Sequence, residues 1–198
     1  MGDGEISVRS DVFFTFYSLL STSYFQETKM EYQSPRNLRL EEDYKKMQEL
    51  VKKSPFITFE VSGDPPNRYI INYTCRGLRL DEISKQVIIA NFHQVEIYLP
   101  TAYPRIRPNL EWLTPIYHPN IGTNNQVCLG GWAPSESLDR LCVRLGEMIQ
   151  YKNFDEYDPI NASAAAWALK NHDKLPIDPR PLEADEPQLK GAYEIKLS

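Results

Sequence analysis

The sequence predicts an α+β domain, in which one helix precedes an antiparallel sheet and further helices follow it. Apolar residues recur at helical spacing in the segment 38–53, and runs of branched and aromatic residues then succeed one another between residues 56 and 114. Two more helical segments come after residue 135. Because consecutive strands with short links pair in antiparallel fashion, we expect a four-stranded meander between the first helix and the last ones.

The first helix has an apolar face and a basic line. The apolar face consists of Leu40, Tyr44, Met47 and Val51, at positions i, i+4, i+7 and i+11. The basic line consists of Arg39, Lys46 and Lys53. Acidic residues are interspersed on the same helix, so a solvated, charge-balanced surface is the simplest interpretation of this line.

Four strands are predicted, at residues 56–61, 69–75, 94–99 and 110–114. Residues 87–92 either begin the third strand or form a separate piece. The segment 76–86 is longer than a tight hairpin needs and is predicted to be a surface loop. Cys75, in the second strand, is predicted to be a packed core thiol.

Two helices are predicted after the strands. Ser135 is the expected N-cap of the first, because acidic residues then fall in its first turn. Its apolar face contains Leu138, Leu141, Cys142, Leu145 and Ile149. Asn161 is expected to cap a final helix at residues 162–170. Prolines beyond residue 172 forbid a continuous helix there, so that tail is expected to be extended or disordered.

The ends of the chain are harder to interpret, and we divide it into an extension (1–35), a domain (36–171) and a proline-rich tail (172–198). The apolar run 12–20 invites a signal-peptide interpretation, but acidic residues crowd it and it is too short to span a membrane. Met30 leaves open a later translation start. An extension that packs on the domain surface is the alternative.

Composition excludes several classes of function. The 198 residues include 41% hydrophobic and 25% charged residues and carry a formal net charge of −5, which argues against nucleic-acid binding. The three cysteines have no metal-like spacing and fit a reducing compartment, so a cytoplasmic location is expected. Only three scattered histidines are present, which makes a zinc site improbable.

The stretch 116–132 carries the one cysteine with potential helpers. Cys128 follows Asn120 by eight residues, and the residues between them include Gly122, Asn124 and Asn125, which favour turns. A thiol on such a coil is expected to be accessible, whereas a thiol in an apolar strand or helix is usually core.

An ordered set of motifs in and around this stretch resembles the ubiquitin-conjugating enzymes. These proteins carry ubiquitin or a ubiquitin-like protein as a thioester. The motifs are Tyr103-Pro104, Pro108, Tyr117-His118-Pro119-Asn120-Ile121, Val127-Cys128-Leu129, Trp132-Ala133-Pro134 and Asp158-Pro159-Ile160-Asn161. The resemblance implies the family's α+β fold for residues 36–171.

The resemblance also implies roles for individual residues. Cys128 would be the nucleophile, Asn120 a donor to the oxyanion and Asp158 the acid that helps the amine lose its proton. Asn120 could instead stiffen the loop, and Asp158 could cap a helix or hold a loop. Loop support is expected from His118, Pro119 and Tyr117. The basic line Arg39, Lys46 and Lys53 would bind the activating enzyme. A rim for ligases or other partners would consist of Arg105, Ile106, Trp132, Ala133 and Pro134.

The expected partners are a modifier, an activating enzyme, a protein target and a ligase, with no membrane and no nucleic acid. No cofactor or metal is expected, because ATP would be consumed by the activating enzyme and no phosphate-binding glycine loop is visible. A non-catalytic modifier-binding variant of the fold is the alternative, but such variants typically lack the cysteine, so Cys128 with Asn120 counts against it. A generic scaffold would leave the ordered motif set unexplained.

Three departures from the family pattern are visible. Gly130 stands where many members have an acid, and the stretch between Cys128 and Trp132 is shorter than usual. Arg105, Ile106 and Arg107 replace the usual aromatic residue between two prolines. These differences put standard ligase recognition in doubt and favour a divergent branch, such as one from a bacterial or archaeal conjugation system.

Overall fold

The computed structural model describes residues 34–155 and 157–184. Its helices are α1 (Pro35–Lys53), α2 (Leu138–Ile149) and α3 (Ala162–Lys170), followed by a short 3-10 helix (His172–Lys174). Its strands are β1 (Ile57–Ser62), β2 (Arg68–Tyr73), β3 (Gly77–Leu80), β4 (Val87–Ala90), β5 (His93–Tyr98) and β6 (Asn109–Trp112). In these ranges no helix has the length and apolar character that crossing a membrane requires. The apolar run 12–20 and the end of the tail lie outside the described residues.

The main sheet is a four-stranded antiparallel meander in the order β1-β2-β5-β6. Ile71 in the second of these strands lies opposite Phe59 on one side and Val95 on the other. Alternate residues of β5, namely His93, Val95 and Ile97, are buried, as expected for a sheet with one face on the core. The predicted α+β class and meander are therefore confirmed.

A second, two-stranded sheet corrects one prediction. Residues 76–86 do not form a plain surface loop, because β3 begins at Gly77 and pairs with β4 as a separate hairpin. The segment 87–92 therefore belongs to its own strand and not to the start of β5. The backbone N–H of Tyr117 donates to the carbonyl of Leu78 at 2.7 Å, so this hairpin supports the loop that follows β6.

The core lies between α1, the main sheet and α2. Leu40 and Met47 from α1, Trp112 from β6, and Leu141 and Leu145 from α2 are all fully buried in one cluster. Burial of large side chains such as these supplies most of the free energy that stabilises a domain. Helix α2, which also borders the cysteine loop, is therefore fixed by the core.

Helix α2 begins later than predicted. Its N-cap is Ser137 rather than Ser135, and the Ser137 side chain makes no capping hydrogen bond. The orphan N–H of Leu138 donates instead to Oδ1 of Asp43, a buried aspartate on α1, at 3.1 Å. Asn161 caps α3 by accepting from the N–H of Ala164 at 3.2 Å, as predicted.

The segment after the 3-10 helix is irregular but packs on the domain. The N–H of Ile177 donates to the carbonyl of Gln150 at 2.9 Å, and Leu182 is buried in the core cluster. Asp178 is fully buried and accepts hydrogen bonds from Arg180, which hold the pKa of its carboxyl well below the usual range. The first part of the tail therefore contributes to the folded domain.

Candidate active site

The cysteine is presented by a coil that follows β6 and folds back on itself. Ile121 forms single β-bridges with His118 and Val127. The backbone N–H of Cys128 then donates to the carbonyl of Asn120 at 2.8 Å. These contacts place Cys128 directly beside Asn120, although eight residues separate them in sequence.

His118 lies inside this coil and not beside the thiol. It is fully buried, and its ring contacts the rings of Tyr151 and Phe154, with centroids 4.9 Å and 6.2 Å away. Burial lowers the pKa of His118 to about 3, so the imidazole is neutral near pH 7. Its Nδ1 accepts the backbone N–H of Asn120 at 3.1 Å. His118 thus stabilises the coil and is not placed to deprotonate Cys128.

Neighbouring carbonyls attach the coil to later parts of the chain. The carbonyl of Pro119 accepts the N–H groups of Ile160 and Asn161, at 3.0 Å and 2.9 Å. The carbonyl of Tyr117 accepts the hydroxyl of Tyr151 at 2.5 Å. The segment that leads into α3 is thereby held next to the cysteine loop.

The Asn120 side chain is almost completely buried and is bonded to one residue. Its Nδ2 donates to the carbonyl of Asp155 at 3.0 Å, and its Oδ1 accepts the N–H of Asp155 at 2.8 Å. Among the residues that the structure describes, the second N–H of this amide has no hydrogen-bond partner. Asn120 therefore holds the 153–158 loop and retains one donor for another acceptor.

A cavity of about 180 Å³ lies where these segments meet. It is lined by Asn120, Cys128, Leu129, Gly130, Arg144, Met148, Asn153, Phe154, Asp155 and Asp158. The three residues to which the family resemblance assigned catalytic roles thus border one space. Asp158 is exposed there, and its N–H donates to Oδ1 of Asp155 at 3.1 Å.

Sequence reasoning missed Asp155 and Arg144 in this lining. Asp155 lies in the loop before α3, and only its pairing with Asn120 brings it to the cavity. Arg144 lies off the predicted apolar face of α2, and the sequence indicates no partner for it. Both assignments depend on contacts between residues that are distant in sequence.

The three thiols differ sharply in environment. Cys75 and Cys142 are fully buried, and burial raises the pKa of Cys75 to about 12 and raises that of Cys142 as well. Cys128 is only partly buried. Since a thiolate is the nucleophilic form, Cys128 is the cysteine suited to covalent chemistry.

The rim residues come together at one edge of the domain. Trp132 donates its indole N–H to the carbonyl of Pro104 at 2.9 Å, which joins the two segments that carry them. The exposed members are Arg105, Ile106, Ala133 and Pro134. The structure thus joins the two segments that carry these residues, while their role as a partner surface stays a prediction.

The basic line of α1 is not uniform. Arg39 is only 19% exposed in its side chain and bonds to Asp43 at 2.8 Å, to Tyr103 at 3.1 Å and to the Pro134 carbonyl at 2.7 Å. Lys46 is 44% exposed and forms an ion pair with Glu42 at 3.5 Å. Arg39 therefore joins α1 to the domain, which differs from the solvent-facing position expected for it.

Known proteins resemble this chain in sequence. Residues 85–175 match the sequence model of the ubiquitin-conjugating enzymes. The NEDD8-conjugating enzyme UBE2F of Xenopus tropicalis is 35% identical over 92 residues, which cover 41% of this chain and 49% of that protein. The ubiquitin-conjugating enzyme E2 T of Bos taurus is 32% identical over 81 residues, or 37% of this chain and 40% of that protein. The chain thus spans about half the length of the curated relatives it matches.

Solved structures resemble it in fold. S. cerevisiae Ubc12 superposes with a TM-score of 0.53 at 19% identity, over 80% of this chain and 84% of that one. The E2 domain of a Toxoplasma gondii ubiquitin-conjugating enzyme superposes with a TM-score of 0.51 at 20% identity, over 70% of this chain and 89% of that one. The structure therefore has the fold of the ubiquitin-conjugating enzymes. The sequence match covers residues 85–175, less than half of the chain, and this range includes Asn120, Cys128 and Asp158. The relatives named here are eukaryotic, and the bacterial or archaeal origin stays a prediction.

Proposed function

We propose that this protein accepts ubiquitin or a ubiquitin-like protein on Cys128 as a thioester and transfers it to a lysine amine. The observation that supports this most strongly is the cavity beside Cys128, which is bordered by both Asn120 and Asp158. The other two thiols are sealed in the core. A non-catalytic variant of the fold would need neither a partly exposed cysteine nor carboxylates around it.

The proposed chemistry consists of two acyl transfers. In loading, the Cys128 thiolate attacks the modifier's C-terminal thioester on an activating enzyme, and the thiolate of that enzyme leaves. In discharge, a neutral lysine amine attacks the new thioester carbonyl and the Cys128 thiolate leaves. Each tetrahedral intermediate carries an oxyanion, which the second N–H of the Asn120 amide could bind.

Asp158 is proposed to assist discharge. A carboxylate beside the attacking amine favours loss of its proton, and Asp158 is exposed at the cavity. Asp155 is the neighbouring carboxylate, but its Oδ1 already accepts the N–H groups of Tyr157 and Asp158, at 2.9 Å and 3.1 Å. Of the two, Asp158 is therefore the better candidate for proton transfer, and Asp155 holds the loop.

The proposed partners are an activating enzyme, a modifier, a target protein and a ligase, in a cytoplasmic setting. The relatives are named for NEDD8 and for ubiquitin, so both are the modifiers to test first. Lys46 and Lys53 on α1 are proposed to attract the activating enzyme, and the edge around Trp132 is proposed to receive a ligase.

Loading tests the function directly. Incubation with ATP, an activating enzyme and either modifier should give an adduct that excess thiol cleaves. Cys75→Ser should load like the wild type, whereas Cys128→Ala should not load. Persistence of the adduct in Cys128→Ala, or no adduct with any ubiquitin-like protein, would contradict the proposal.

Discharge tests the role of Asp158. Asp158→Ala should load normally, because loading involves no lysine, while discharge to free lysine should slow by about tenfold to a hundredfold. Higher pH should recover part of that loss, since more of the amine is then neutral. Glu82→Ala, on the exposed turn between β3 and β4, is the matched control and should change neither step. A parallel fall in loading, discharge and melting temperature for Asp158→Ala would make Asp158 a structural residue.

A further inference from the structure

The backbone just after the nucleophile contains two glycines with little packing around them. Gly130 has a φ of +69°, in the left-handed region that favours glycine. A Cβ added at Gly130 or at Gly131 would meet no atom within 4 Å. Leu129 before the glycines and Trp132 after them pack against the core, but no side chain holds Gly130 and Gly131 themselves, and two glycines are costly in entropy to order.

The guanidinium of Arg144 supplies the contacts that packing does not. Its Nη1 donates to the carbonyls of Leu129 and Gly131, each at 3.4 Å, so the two bonds lie on either side of Gly130. Arg144 also borders the cavity that contains Cys128. It projects from α2, whose apolar face is buried in the core, so its base is rigid.

The guanidinium is itself held in place. Its Nη2 lies 3.0 Å and 3.1 Å from the two carboxylate oxygens of Glu136, and both side chains are about one-fifth exposed. The backbone carbonyl of Glu136 accepts a hydrogen bond from Arg39 on α1. Partial burial makes such charged contacts stronger than the same contacts on an open surface.

We infer that Arg144, held by Glu136, is a positioning residue for Cys128. Upstream of the nucleophile, the bond from its own N–H to Asn120 fixes the backbone. Downstream, the two bonds from Arg144 fix the backbone on either side of Gly130. Together they hold the Cys128 thiol in one orientation toward the cavity, and small displacements of a reacting group reduce rates strongly. The catalytic consequence rests on the proposed function, while the ordering of the loop does not.

The test has one measurement that needs no modifier. NMR order parameters of the Gly130 and Gly131 amides should lie near about 0.8 in the wild type and fall below about 0.6 in Arg144→Ala. Glu136→Gln should lower them less, and Arg144→Lys should retain part of the order because one ammonium can still donate to a carbonyl. Arg140→Ala is the matched control, since Arg140 lies on the same helix, is 62% exposed and pairs with Asp139 and Glu183.

Discharge kinetics then separate positioning from substrate binding. Arg144→Ala should lower the maximal rate of discharge to lysine by about tenfold and leave the half-saturating lysine concentration unchanged. Arg144→Lys should recover part of the rate, and Arg140→Ala should match the wild type. If Arg144→Ala does not fold, Arg144→Lys and Glu136→Gln are compared with the wild type in the same two measurements.

Three results would overturn the inference. They are unchanged order parameters at the two glycines, a loss of order spread evenly over the sheet, and a rise in half-saturating lysine at an unchanged maximal rate. Absence of loading in the wild type would refute the proposed function instead, and the order parameters would still decide whether Arg144 orders the loop.

Discussion

Replacing Asn120 by alanine should destabilise the domain through the loss of two hydrogen bonds. Both bonds join the Asn120 amide to the backbone of Asp155, at 3.0 Å and 2.8 Å, and connect segments 35 residues apart. A net contribution of about 0.5–1.5 kcal/mol per bond gives a loss of about 1–3 kcal/mol. Asp155 is exposed, so water can replace part of what its backbone loses. We therefore expect about 1–2 kcal/mol, or a fall in melting temperature of several degrees.

Urea unfolding of the wild type and Asn120→Ala measures this difference directly. Asn124→Ala is the matched control, because Asn124 lies exposed on the same coil and, within the described residues, its side chain accepts one 3.4 Å bond, from the N–H of Gln126. The control should change the free energy of unfolding by less than about 0.5 kcal/mol. A similarly small change for Asn120→Ala would refute the reasoning that Asn120 holds the 153–158 loop. If discharge falls about a hundredfold at a lysine concentration that saturates, the free N–H also serves the oxyanion.

Three further outcomes are expected. Alkylation of the folded protein at pH 8 should modify Cys128 alone, because Cys75 and Cys142 are buried. Intact-protein mass spectrometry should show one adduct per chain, and a second adduct would contradict the prediction. Burial lowers the pKa of His118 to about 3 and that of His93 to about 4, so both imidazoles are neutral in the folded protein near pH 7. Below pH of about 6.5 the unfolded chain binds protons that the folded chain does not, so the free energy of unfolding should fall by about 2 kcal/mol per histidine at pH 5. In a pH series of urea melts, His118→Gln should show a smaller fall than the wild type. Lys46→Glu should slow loading at low salt and leave the melting temperature unchanged, whereas Arg39→Glu should lower the melting temperature. Equal loading rates of the wild type and Lys46→Glu would show that Lys46 does not contribute to binding the activating enzyme.

The periodic elements of this fold could be predicted from the sequence. Helix α1, the four strands of the main sheet and the Asn161 cap of α3 are each specified by local pattern, so local reasoning finds them. The β3–β4 hairpin was missed, because the polar turn between its strands gives no alternation that distinguishes a hairpin from a loop. Its strands are short, four residues each, which weakens the signal further.

Contacts between distant residues account for the other misses. Ser135 looks like an N-cap in sequence, but the N–H of Leu138 is satisfied by Asp43, 95 residues earlier. Arg39 looks like a surface cation, but its carbonyl partners lie almost a hundred residues later, beyond Trp132. No local pattern could show either pairing.

The candidate site, too, contains residues that sequence motifs identify and residues that only contacts in the fold identify. The family resemblance assigned roles to Cys128, Asn120 and Asp158, and the structure places all three at one cavity. Asp155 bonds to Asn120 through its backbone, and Arg144 donates to the backbone carbonyls of Leu129 and Gly131, so the sequence carried no specific signal for either pairing. Identifying such residues requires knowing which carbonyls and N–H groups the fold brings near them.

The irregular segment after the last helix also bears on where this protein can be cut. A chain shortened after Asn171 would lose Leu182, whose methyl groups lie over Gly146 of α2, and Asp178, which accepts the backbone N–H of Arg76 beside the β3 strand. Removal would uncover apolar surface on the helix that carries Arg144 and leave Cys75 closer to solvent. Cleavage near Pro176 should therefore lower the stability of the domain, although Leu182 and Asp178 do not line the cavity beside Cys128.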